Sequence, residues 1–76
     1  MKYSWEIIHE CDDEETGEPT NWAAEVNSER YGRFAWISLN ADGLYDVEVK
    51  PYEEFKVLVT CKSLTSAKRW VTMNIR

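Results

Sequence analysis

Residues 2–9 (Lys-Tyr-Ser-Trp-Glu-Ile-Ile-His) alternate between apolar and polar. Tyr3, Trp5 and Ile7 point one way; Lys2, Ser4 and Glu6 point the other. A period of two built from aromatic and β-branched residues predicts a strand. Ile8 is the one apolar residue on its polar face. The next eleven residues, 10–20, hold a run of acids with Gly17 and Pro19 as punctuation, and they predict a loop longer than an ordinary hairpin loop. A second strand follows over 21–27, with Trp22, Ala24 and Val26 on one face. The Ala23-Ala24 pair also allows a short helix there.

After a turn at 28–32, residues 33–39 predict a third strand that is apolar on both faces. Phe34 and Trp36 lie on one, and Ala35, Ile37 and Leu39 on the other. A strand apolar on both sides belongs in the middle of a sheet, at least partly covered twice. Asn40-Ala41-Asp42-Gly43 predicts a tight turn, because Asp-Gly reaches positive φ cheaply. Residues 44–50 then set Tyr45, Val47 and Val49 against Asp46, Glu48 and Lys50, a fourth strand that Pro51 ends. A fifth strand is expected over 55–61, with Phe55, Val57 and Val59 inward. Residues 64–75 predict the only helix. Ser63 serves as its N-cap, and Leu64, Ala67, Val71 and Ile75 share one face. Lys68, Arg69 and Arg76 lie toward its C-terminal half, Trp70 at the edge of the apolar stripe and Met73 opposite it.

The predicted class is α+β: an antiparallel sheet of four to five strands with one C-terminal helix packed on one face. A helix of about 12 residues is ~18 Å long and ~10 Å wide. Five strands spread over ~20–25 Å. One helix cannot cover even one whole face of such a sheet, so some aromatic surface is expected to stay exposed or to meet a partner.

At 76 residues, 43% apolar and 13% aromatic, the chain is read as one domain, 1–76, and disorder is excluded. No apolar run approaches the length of a membrane span, and no charged segment precedes an apolar one as in an export signal. The expected location is therefore cytoplasmic, in the cytosol of a host cell. The net charge is −5, unevenly divided: residues 1–25 carry −7 and residues 26–76 carry +2. Such a chain repels phosphate backbones and favours partners with basic surfaces.

The usual chemical constellations fail. Cys11 and Cys61 are too few for a disulfide scaffold and lack the paired spacing of a zinc site. Each follows a predicted strand, an arrangement that could bring them together, with His9 nearby. A Cys61–His9 pair across neighbouring strands would lack any nucleophile signature. There is no Gly-x-Ser-x-Gly elbow, Walker loop or dinucleotide fingerprint. Asp12-x-Glu14-x-Thr16-Gly17 begins like a calcium loop, but the twelfth position is Ala23 where a bidentate Glu is required. No enzyme, no cofactor and no metal is expected. Arg-Tyr-Gly-Arg-Phe-Ala-Trp (30–36) resembles the first ribonucleoprotein motif of RNA-recognition domains, but it lacks the last aromatic and the two-helix frame.

The segment Cys61-Lys62-Ser63-Leu64-Thr65-Ser66-Ala67-Lys68-Arg69-Trp70 has a hydroxyl cap, then Leu, then Ala three residues on, then an aromatic. It is similar to the strand-to-helix junction of small phage-encoded inhibitors of host machinery, of the anti-CRISPR and host RNA polymerase inhibitor types, and of HicB-like antitoxins. The resemblance covers ten to fifteen residues. It implies a protein that blocks an enzyme by binding it.

The expected function is a non-enzymatic binding module that inhibits a nucleic-acid-handling protein. Asp12, Asp13, Glu14, Glu15 and Glu18 would imitate a run of phosphates and meet a basic channel, with Trp22 and Trp36 as apolar anchors. Two alternatives remain. One is a single-stranded nucleic-acid binder using Arg30, Arg33, Lys56 and neighbouring aromatics. The other is a homodimer that buries the uncovered face. A membrane partner is not expected.

Overall fold

A computed structural model describes residues 3–75 of the chain. Five antiparallel strands lie side by side in chain order: β1 (Glu6–Ile7), β2 (Asn21–Ser28), β3 (Gly32–Leu39), β4 (Tyr45–Val49) and β5 (Lys56–Cys61). One helix, α1 (Leu64–Asn74), packs against one face. The architecture is the expected α+β sheet with a single C-terminal helix.

Alternation decides which side chains meet the helix. Trp22, Val26, Ala35, Ile37, Val47 and Val49 form one buried cluster with Ala67, Val71 and Ile75 of the helix segment. Their neighbours in sequence point to the opposite, helix-free face. Ser63 caps α1 as its residue type predicts: its Oγ accepts from the Ser66 N–H at 3.1 Å. Leu64 and Trp70 pack at the edge of the core, and Met73 is exposed on the far side. The expected run 64–75 ends one residue early, with Ile75 as the C-cap; Arg76 lies outside the described residues.

Both hairpin turns around β3 have local causes. Asn40 Oδ1 accepts from the N–H groups of Asp42 and Leu44, and Gly43 takes φ 77°. At the other end Gly32 takes φ 98°, and a Cβ there would stand 2.9 Å from the Lys50 carbonyl oxygen. Gly32 thus lets the β2–β3 turn press against the end of β4.

Four expectations are corrected. The first strand, expected over 2–9, pairs only at Glu6 and Ile7, and Lys2 lies outside the described residues. Tyr3 turns instead to the end of α1, where its hydroxyl donates to the Ile75 carbonyl at 2.8 Å, and Trp5 lines a cleft with Thr65 and Lys68 of the helix. In β5 the inward set is not Phe55, Val57 and Val59. Val47 faces Val59 but Glu48 faces Val57, so Leu58 is an extra residue on β5. This bulge keeps Leu58 and Val59 on the core and turns Phe55 and Val57 to the helix-free face. Trp22 is a core residue, only 7% exposed, and not a surface anchor; it shares the helix face with Ala24 and Val26 and packs 5.9 Å from Tyr45. Finally, Cys11 precedes β2 at one edge of the sheet while Cys61 ends β5 at the other, which separates the two thiols and also separates Cys61 from His9.

Candidate functional site

The helix-free face carries an aromatic cluster. Phe34 and Trp36 project from the same side of β3 with ring centroids 6.0 Å apart, and Phe55 meets Trp36 edge-on at 4.9 Å. Phe34 and Trp36 are half-buried; Phe55 is 57% and Val57 52% exposed. Strand register fixes the neighbours. Across the middle of the face run Glu6, Ala23, Trp36, Glu48 and Val57, one from each strand. Ile8, the apolar residue on the polar side of the first segment, closes one end of a shallow groove of about 240 Å³ together with Cys11, Asn21, Trp36, Glu48 and Phe55.

The carboxylates of this face differ in their company. Asp46 Oδ1 accepts from Thr60 Oγ1 at 2.7 Å and from Asn40 Nδ2 at 3.2 Å. Glu25 is held by Arg33 at 2.5 Å, whose guanidinium hydrogen bond and charge pull its carboxyl below the ordinary value. Glu48 has no hydrogen-bond donor or ion-pair partner among the described residues. Burial raises its pKa, and the like charge of Asp46 adds to the effect. Two cations flank the cluster: the Arg33 guanidinium lies 5.1 Å from the Phe34 ring centroid, and the Lys50 Nζ 5.4 Å from that of Phe55.

The acidic loop is a built turn. The Asp13 carbonyl accepts from the Gly17 N–H and the Asp13 N–H donates to the Glu18 carbonyl, at 2.8 and 2.9 Å. Asp13 Oδ1 accepts from the N–H groups of Thr16 and Glu15, and these two bonds lower its pKa. Asp13 therefore spends its carboxylate on the loop itself. Asp12 Oδ2 lies 3.2 Å from His9 Nδ1. Glu14, Glu15 and Glu18 are exposed. Thr20 Oγ1 donates to the Cys11 carbonyl and ties the base of the loop to the groove end of the face.

Of the residues singled out from sequence, Trp36 stands on the open face and the acids stand on the loop beyond its Ile8–Cys11 end, while Trp22 is in the core. Sequence reasoning missed Phe55, Val57 and Glu48. Glu48 was visible as the polar partner of Val47 and Val49, but its position beside Trp36 depends on strand register.

A second cleft, about 440 Å³, opens on the helix side between Tyr3, Trp5, Thr65, Lys68, Arg69 and Thr72. It contains two cations and no carboxylate. Residues 55–76 carry five bases and no acid, so charge is unevenly divided along the chain. Among the described residues no group of three or more His, Cys, Asp or Glu is set to hold a metal, and no helix is long and apolar enough to cross a membrane. No protein-family model, no curated protein and no solved structure matches this chain.

Proposed function

We propose that the chain is a non-enzymatic protein-binding module that docks on a basic surface of a nucleic-acid-handling protein and blocks it, as a phage or prophage inhibitor of host machinery would in the host cytosol. The observation that carries this reading is the Phe34–Trp36–Phe55 cluster on the sheet face that α1 leaves open. Half-buried rings on a sheet, with Phe55 exposed beside them, supply apolar anchor area at low entropic cost. Glu14, Glu15 and Glu18, held out on an ordered turn, add an acidic arm that steers association with a positively charged partner.

The charge distribution weighs against the two alternatives. A strand whose bases stacked on Trp36 would bring its phosphates toward Glu48 and Asp46, and Arg33 is engaged by Glu25. A second copy placed on the same face with its twofold axis at Trp36 would set Glu48 and Asp46 close to their own equivalents.

Capture from a bacterial lysate with three baits tests the reading: the native chain, Trp36→Ala, and the chain with Glu14, Glu15 and Glu18 reversed to Lys. Proteins retained by the native chain and lost by both variants, and whose nucleic-acid-handling activity falls when the purified native chain is added, are the expected result. The same proteins on all three baits, or retained proteins whose activity is untouched, would overturn it.

A further inference from the structure

We propose that the groove between Trp36, Phe55 and Glu48 receives an arginine side chain of the protein that docks on the open face. This inference rests on the reading of that face as the docking surface and gives the anchor its chemistry. The groove pairs aromatic walls with a carboxylate. Trp36 and Phe55 meet edge-on at 4.9 Å, and both rings line the open groove. Glu48 stands opposite Trp36 on β4, half-buried and with no cation of its own. Asp46, two residues along the strand, adds negative potential while its own oxygen is occupied by Thr60 and Asn40.

Charge complementarity then selects the guest. An apolar side chain would deepen the desolvation of Glu48 without compensating it. A phosphate would be repelled by two carboxylates. A cation gains from both walls and carboxylate, because ring faces attract positive charge and a carboxylate accepts hydrogen bonds from it. Lys50 over Phe55 at 5.4 Å shows the rim of this cluster holding a cation already. Arginine fits better than lysine. Its guanidinium is planar, weakly hydrated, stacks on aromatic faces and offers a fork of donors to the Glu48 carboxylate that lines the groove.

The test is a titration of ¹⁵N-labelled full chain with hexa-arginine, followed at the Trp36 indole N–H and the Glu48 amide, with hexalysine and octathymidylate as the other probes. Saturable shifts at both positions are expected, with hexalysine weaker by about tenfold and octathymidylate without effect. Glu48→Gln, which keeps the side-chain shape, should weaken hexa-arginine by about tenfold or more. Shifts confined to residues 12–18, unchanged affinity in Glu48→Gln, equal affinity for hexalysine, or displacement of the Trp36 signal by octathymidylate would each overturn the proposal. Failure here, with Trp36→Ala still losing the captured protein, removes the arginine anchor and leaves the docking reading standing.

Discussion

Glu48 stands directly opposite Trp36 across the β3–β4 ladder, on the sheet face without a helix. The half-buried indole of that face is thus paired with a carboxylate that has no ion-pair partner among the described residues. The same acid that suits a visiting cation is a cost to the isolated domain.

That cost has a pH signature. Burial, then Asp46, raises the folded pKa of Glu48 above its unfolded value. The folded state therefore binds the proton more tightly, and stability falls as pH rises from the unfolded value through the folded one. Glu48→Gln should be more stable than the native chain at pH 7.5, by a few tenths of a kcal/mol after solvent screening. The difference should shrink toward zero once Glu48 is protonated below that window. Urea melts of both proteins at pH 7.5 and pH 4 measure it; equal midpoints at pH 7.5 would contradict it.

Asp13 behaves in the opposite sense. Hydrogen bonds from the Thr16 and Glu15 N–H groups lower its folded pKa, so the order it lends the loop is present above the unfolded value near 3.8 and is lost as pH falls through the folded one. Asp13→Ala should speed amide exchange at Glu15 and Thr16 at neutral pH while leaving Val47 and Ile37 protected. Exchange rates unchanged at Glu15 and Thr16 would show that the turn holds without its cap.

Gly32 and Gly43 both take positive φ, but only Gly32 meets backbone where a Cβ would go. Gly32→Ala should cost about 2 kcal/mol or more, and Gly43→Ala about 1 kcal/mol. Chemical denaturation of the two variants compares them directly, and equal losses would contradict the close approach to Lys50.

Ile37 is fully buried in the centre of the sheet and touches the helix-side cluster. Ile37→Ala should cost ~2–5 kcal/mol. A domain of this length has only ~4–11 kcal/mol in total. The variant should therefore melt far below the native chain by circular dichroism; a midpoint within a few degrees would mean that the core tolerates the cavity.

Most of this fold was legible from side-chain alternation. Trp22-x-Ala24-x-Val26, Ala35-x-Ile37 and Val47-x-Val49 each name the face that the helix covers, and Asp42-Gly43 marks the hairpin between two of them. The exposed aromatic surface followed from the small area of a single helix. The misplacement of Trp22 came from counting rings as surplus without asking which face each shared; its own strand pattern already put it with Ala24 and Val26. Phe55 and Val57 were harder. The apolar run Val57-Leu58-Val59 fits one strand face or the other, and only the ladder shows that Leu58 is the extra residue. The groove depends on which residues stand abreast on neighbouring strands, and a linear pattern does not carry that.

The hydroxyl of Tyr3 resting on the carbonyl of Ile75 brings residues seventy-two positions apart to one corner of the domain. Polypeptide entering there also exits there. A short bridge joining Tyr3 to Ile75 would close the described fold into a ring, and fresh ends cut at the exposed Asp42-Gly43 turn would leave every described strand pairing intact. The same corner lets the unit be spliced into a surface loop of an unrelated carrier without levering its host apart.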